Sequence, residues 1–137
     1  AMLMGDLITL TQAKLPVKVV IFNNSVLGFV ALEMKAAGFI ETGVDLKNPD
    51  FAAMARAMGI HGVRVEDPGE LEGAIRDVLA HDGPAVLDVV TATQELSMPP
   101  TITLEQVKGF SLWVLRAVMS GRGDEVVDLA KTNLLPR

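Results

Sequence analysis

Two periods of apolar residues alternate along this chain and lay out its elements. Leu3, Leu7 and Leu10, with Lys14 next in the series, repeat at helical spacing until Pro16. Proline lacks the amide hydrogen that a helix interior needs, so a first helix is predicted to end near Lys14 or Leu15. Val17-Lys18-Val19-Val20-Ile21-Phe22 follows, short, β-branched and nearly all apolar, as expected of a strand buried on both faces of a parallel sheet. Asn23-Asn24-Ser25 ends it, and a loop is predicted next, holding Gly38, Gly43 and Asn48-Pro49. Asp50 to Gly59 reads as a short helix with an Asp cap and a Gly stop, and Gly62 to Glu66 as a second strand. From Pro68 to His81, Leu71, Ala74, Ile75, Val78 and Leu79 share one helical face, and Asp82-Gly83-Pro84 closes the helix. Ala85-Val86-Leu87-Asp88-Val89-Val90 is the third strand.

Helices alternating with short apolar strands define an α/β fold, a parallel sheet with flanking helices, and such sheets take ligands at the carboxyl ends of their strands. That architecture is expected over residues 1–97. Met98-Pro99-Pro100 breaks the alternation, and residues 98–137 are expected to form a helical C-terminal tail: Leu104 to Ser120, a Gly121-Arg122-Gly123 interruption, then Asp124 to Lys131. The chain starts inside an apolar helical pattern with no cap before it, so a truncated upstream element is expected, together with an exposed sheet edge that favours self-association.

Composition narrows the function. The net charge of −5 arises from 17 acidic and 12 basic residues with no basic block, which excludes a phosphate-backbone binder and makes nucleic acid an unexpected partner. The chain has no cysteine, so disulfides, thiolate metal sites and cysteine nucleophiles drop out together, in keeping with a cytoplasmic location. No basic n-region precedes an apolar segment, and no apolar run approaches the roughly 18 residues of a membrane-spanning helix.

The segment Asn23-Asn24-Ser25-Val26-Leu27-Gly28-Phe29 leaves the first strand and enters a glycine-containing loop. An Asn side-chain carbonyl and a nearby main-chain carbonyl suit magnesium, a hard cation that shares oxygen ligands with phosphates. Asparagines also end strands because they tolerate turn conformations, and the residues alone leave both readings open. His61 and His81 stand isolated in sequence, without a second ligand at metal spacing, and read as solvated or structural. Ser25 has no G-x-S-x-G elbow, Asp88 lies within a strand where it can bind backbone, and Arg122-Gly123-Asp124 reads as a helix junction with Asp124 as cap. No catalytic residue is assigned.

The order helix, Pro16-Val17-Lys18, apolar strand, Asn23-Asn24, Gly28-Phe29 resembles the thiamine-diphosphate-dependent enzymes, in which a GDG sequence opens the cofactor motif and paired Asn closes it. Only the closing half is present, since Gly5-Asp6 lies too near Asn23-Asn24 for the opening half. Met2 to Leu7, Phe22 to Val30, and the tail from Lys108-Gly109-Phe110 through Gly123-Asp124-Glu125-Val126 look most like bacterial pyruvate dehydrogenase (quinone), or pyruvate oxidase. The resemblance implies magnesium held by the Asn24 side chain and the Val26 main-chain carbonyl. Asn24, Ser25, Val26, Leu27, Gly28, Phe29 and Val30 would line the cofactor, with Gly28 admitting close backbone approach and Phe29 supplying apolar surface or plain core. It further implies oxidative decarboxylation of pyruvate to acetate and carbon dioxide, with electrons passed to FAD, bound mainly outside these residues, and on to a quinone. The isolated chain is expected to be inactive.

The resemblance also implies a homo-oligomer, dimer or tetramer. The tail carries Leu104, Val107, Phe110, Leu112, Trp113, Val114, Leu115 and Val118 near Lys108, Arg116 and Arg122. It fits either subunit packing or peripheral contact with the inner face of the cell membrane. Two alternatives remain: an acetolactate synthase-type carboligase, and a non-catalytic α/β interaction module.

Overall fold

The computed structural model describes residues 3–95 and 102–134. The break at Met98-Pro99-Pro100, and with it the expected 97/98 boundary, lies outside these residues, as do Ala1 and Met2. In chain order the elements are a 3-10 turn (Met4–Asp6), α1 (Leu7–Gln12), β1 (Lys18–Asn23), α2 (Gly28–Ala36), α3 (Phe51–Ala57), β2 (His61–Val65), a second 3-10 turn (Pro68–Glu70), α4 (Leu71–Ala80), β3 (Ala85–Val90), α5 (Leu104–Met119) and α6 (Gly123–Leu134). They form two compact units, one of Ala1–Asn24 with Lys47–Thr91 and the other of Ser25–Leu46 with Ala92–Arg137.

The first unit has the expected α/β architecture, a three-stranded sheet in the order β1-β3-β2 with both pairings parallel. Lys18 pairs with Ala85 and Asn23 with Val90 on one side of β3, while His61 and Val65 pair with Ala85 and Val89 on the other. β3 is central and buried along most of its length, because its alternate residues feed two separate cores. Val86 packs with Ala55 and Ile60, with Leu7, Val19, Ile21 and Met58 around them, which sets α1 and α3 on one face. Ala85, Leu87 and Val89 pack with Val65, Ala74 and Val78, which sets α4 on the opposite face. Asp50 caps α3 by accepting from the Ala53 N–H at 2.7 Å, and Gly59, at φ +75°, turns the chain out of the helix into β2 where a side chain would be strained.

Two expectations for this unit are corrected. β1 is an edge strand, not one buried on both faces: Val20 and Phe22 point outward, Phe22 with 76% of its surface exposed. An apolar run shows that a strand wants cover without showing where cover comes from, and the α4 layer is built against β2 and β3. On α4 itself, Leu71, Ala74 and Val78 pack inward, whereas Ile75 and Leu79 lie exposed beside the buried stripe.

The second unit corrects the predicted loop between Asn23 and Asp50, because residues 28–36 form α2. Its buried positions are Ala31 and Lys35, one small and one charged, so large apolar residues do not mark its helical period. α5 begins at a capping box, in which the Thr103 side chain accepts from Gln106 N–H (3.3 Å) and the Gln106 side chain accepts from Thr103 N–H (2.9 Å). It crosses α2 closely at Gly109, where any Cβ would overlap the Ala36 carbonyl oxygen. Trp113, Ala117 and Leu129 form the core here, flanked by Ile40, Phe110, Val114 and Val126. α6 starts at Gly123, so Asp124 lies within its first turn instead of capping it, next to the positive end of the helix dipole.

Candidate cofactor site

In the first unit, the carboxyl end of β1 is organised around a buried carboxylate. Asp88, on β3, accepts from Asn23 Nδ2 at 3.1 Å, from the Phe51 N–H at 3.3 Å and from Arg64 Nη1 at 2.6 Å. Asn23 in turn accepts from Asn48 Nδ2 at 2.9 Å. The amide of Asn23 is thus engaged at both its nitrogen and its oxygen by neighbouring strands and loops, which assigns it a structural task at the strand end. Asn24 is the next residue, just beyond the end of β1. Arg64 also bonds Glu66 at 2.8 Å, and this bond, together with the one to Asp88, outweighs burial and raises the guanidinium pKa above its ordinary value. Asp88 therefore does bind backbone, as expected, and two side chains besides.

In the second unit, Ser25 has φ +56°, a left-handed conformation that costs a non-glycine residue about 1–2 kcal/mol. Val26 then lies opposite Asp45 in an antiparallel bridge. The bridge's bonds are made by the residues flanking Val26: Leu27 N–H donates to the Val44 carbonyl and Leu46 N–H to the Ser25 carbonyl, both at 2.9 Å. Gly28 opens α2 immediately afterwards, and no side chain caps that first turn. Leu27 and Val30 are exposed, and Phe29 is 73% exposed, so the plain-core reading of Phe29 fails.

Behind this bridge lies a polar cluster. Lys35, on α2, is 5% exposed and sits 2.6 Å from Glu41 Oε1, 2.9 Å from Gln94 Oε1 and 5.1 Å over the Trp113 ring. Glu41 also accepts from Trp113 Nε1 at 2.8 Å, and the Arg122 guanidinium reaches its carboxylate at 3.8 Å and its main-chain carbonyl at 3.2 Å. Burial alone would push the Glu41 carboxyl up. Hydrogen bonds from Lys35, its own backbone and Trp113, with the Lys35 charge, reverse this and hold it below its ordinary value. A cavity of about 110 Å³ is lined by Lys35, Glu41, Gln94 and Arg122 together with Val26, Val44 and Asp45. Sequence spacing carries no signal for this cluster, since Trp113 is 72 residues and Arg122 81 residues from Glu41.

The remaining candidates fall into place. His61, isolated in sequence and read with His81 as solvated or structural, has Nε2 2.7 Å from Asp77 Oδ2, and its ring stacks on His81 at 4.6 Å. No group of three His, Asp or Glu side chains among the described residues is arranged to hold a metal. In the tail, Phe110, Trp113 and Val114 pack inward while Leu104, Val107, Leu115, Val118 and Met119 are exposed. No helix among the described residues is long and apolar enough to cross a membrane.

Residues 1–89 match the family described as thiamine pyrophosphate enzyme, C-terminal TPP binding domain, and the chain belongs to that family. It is a domain of a thiamine diphosphate-dependent enzyme. Among curated relatives it is 37% identical over 132 residues to Bacillus subtilis (strain 168) YdaP, provisionally named a thiamine pyrophosphate-containing protein; the match spans 96% of this chain and 23% of that protein. It is also 37% identical over 93 residues to the mitochondrial acetolactate synthase catalytic subunit of Aspergillus candidus, covering 66% of this chain and 13% of that protein. The Saccharomyces cerevisiae acetolactate synthase catalytic subunit is 34% identical over 91 residues, covering 64% and 13%. The chain spans under a quarter of the length of these relatives.

Proposed function

We propose that residues 24–30 hold the magnesium-diphosphate end of thiamine diphosphate, within a thiamine diphosphate- and FAD-dependent pyruvate:quinone oxidoreductase that forms acetate and carbon dioxide. The donor set fits the cation: the Asn24 side-chain carbonyl and the Val26 main-chain carbonyl are neutral oxygen ligands suited to magnesium beside a diphosphate. The uncapped start of α2 fits the anion, because first-turn N–H groups and the helix dipole both favour negative charge. Ser25, Leu27, Gly28, Phe29 and Val30 would line that end of the cofactor, the exposed Phe29 ring offering apolar surface. When bound, thiamine diphosphate supplies the electron sink for decarboxylation of a 2-oxo acid. This chain contributes binding and orientation, and it supplies no catalytic residue.

The oxidoreductase reading is motivated by the resemblance of the tail from Lys108 to Val126 to pyruvate oxidase; the match to YdaP, whose name gives no reaction, runs through 96% of the chain, and the acetolactate synthase matches given above cover about two thirds. The tail from 98 to 137 would then be a module for subunit packing in a dimer or tetramer, or for contact at the inner face of the cell membrane. The second reading, an acetolactate synthase-type carboligase, is favoured by the names of those relatives, which are 37% and 34% identical over about two thirds of the chain.

Two linked measurements test this. Calorimetric titration of thiamine diphosphate into the chain should give heat with magnesium and none with a chelator, and Asn24→Ala should weaken binding at least tenfold. Unchanged affinity in Asn24→Ala would remove the residue from the site. With pyruvate as substrate, the complete enzyme should form acetate and reduce a quinone; accumulation of acetolactate instead would establish the carboligase.

A further inference from the structure

We propose that Glu41 is a positioning residue, a buried carboxylate that fixes the Val26 loop to the C-terminal helices and so couples the tail to cofactor binding. This rests on the assignment of residues 24–30 to the magnesium-diphosphate end of the cofactor.

Val26 is half-buried and lines a cavity together with Lys35, Glu41, Val44 and Arg122. Its backing strand is residues 44–46, tied to it by the Leu27 and Leu46 amide bonds, and the cavity lies behind that bridge. Because a cavity of about 110 Å³ adjoins the bridge, its position depends on what anchors residues 41–46 on the far side of that space. Glu41 provides that anchor, three residues upstream of the buried Val44. Its carboxylate joins Lys35 from α2 and Trp113 from α5, and Arg122, just before α6, grips both its carboxylate and its main-chain carbonyl. Every polar partner is directional, so the segment has one preferred position instead of the sliding freedom of an apolar contact. Stability alone is a weak reason for such a cluster, because well-packed apolar side chains serve a core as well as a buried ion pair. What the ions add is a fixed register between the tail helices and the segment that backs the Val26 carbonyl.

Trp113 is the sole tryptophan of the chain, buried, with its indole N–H on Glu41, and it therefore reports on the cluster directly. The test uses the full chain and the charge-neutral double variant Lys35→Met with Glu41→Gln. That variant leaves no unpaired buried charge and keeps an acceptor for the indole, so it folds where a single substitution fails. In the wild type, magnesium and thiamine diphosphate should shift the Trp113 indole N–H resonance; a role confined to stability would leave that resonance unmoved by ligand. In the folded double variant the affinity should fall at least tenfold, and the Leu27 and Leu46 amides should exchange at least tenfold faster. Wild-type affinity together with wild-type exchange of those two amides would overturn the proposal. If the wild-type chain binds no cofactor, the cofactor assignment fails for the chain on its own, and the amide exchange still decides: faster exchange upholds Glu41 as the anchor of the loop, and unchanged exchange refutes it.

Discussion

Asp88 sits on the central strand with none of its surface exposed, so its charge is compensated by its neighbours or not at all. Arg64, the Asn23 amide and the Phe51 N–H supply that compensation, and through Asn23 they fix where β1 ends and Asn24 begins. Asp88→Ala strips three donors of their acceptor at once. It should lower stability by about 3 kcal/mol, since breaking a buried pair leaves its partner unsatisfied. Urea unfolding followed by far-ultraviolet circular dichroism checks this, and a loss below about 1 kcal/mol would mean that water replaces the carboxylate. At this scale the sequence was informative in an uneven way. The expectation for Asn24 and Val26 rests on a local motif and the resemblance it carries, whereas the task of Asn23 depends on a carboxylate 65 residues later. Glu41 was invisible for the same reason: nothing in residues 38–44 announces a partner such as Trp113, 72 positions away.

Elements whose burial is uniform were the legible ones. The third strand was placed at Ala85–Val90 to the residue, because β3 is covered on both faces and its apolar run has no polar interruption except Asp88. α3 and its Asp50 cap were likewise readable from local chemistry. α2 was not, since a helix buried through Ala31 and Lys35 lacks an apolar stripe and is held by α5 instead of by its own pattern. That dependence gives a prediction. Gly109→Ala places a methyl group into the Ala36 carbonyl, which backbone at a helix crossing cannot yield without separating the two helices. Overpacking of this kind costs about 1–3 kcal/mol, and more where the obstacle is main chain. Trp113 emission should move to longer wavelength as its site opens to water, while Gly73→Ala, on α4 where added bulk meets open space, should leave it in place.

For the molecule as a whole, the arrangement of the exposed apolar residues matters more than their number. Scattered apolar side chains are ordinary on any protein surface, but here they fall in rows. Val20 and Phe22 line one face of an edge strand, and Leu104, Val107, Leu115, Val118 and Met119 run along the side of α5 opposite Trp113. Covering one large apolar side chain is worth about 1.5–3 kcal/mol, so a row of five outweighs the ordering cost of a modest interface, whereas a single residue does not. An edge strand adds unpaired backbone groups to the same tendency. Against this stands the net charge of −5, a repulsion between copies that salt screens within about 10 Å at 0.1 M. The chain should therefore self-associate, and more strongly as salt is raised. Sedimentation equilibrium should show a mass above 14.6 kDa that increases with ionic strength. Leu115→Lys, which puts a charge in the middle of the α5 row, should return the chain toward monomer, and Phe22→Lys should do so if the β1 edge takes part. A monodisperse monomer at every salt concentration would mean that these rows stay exposed to water at no cost large enough to drive association.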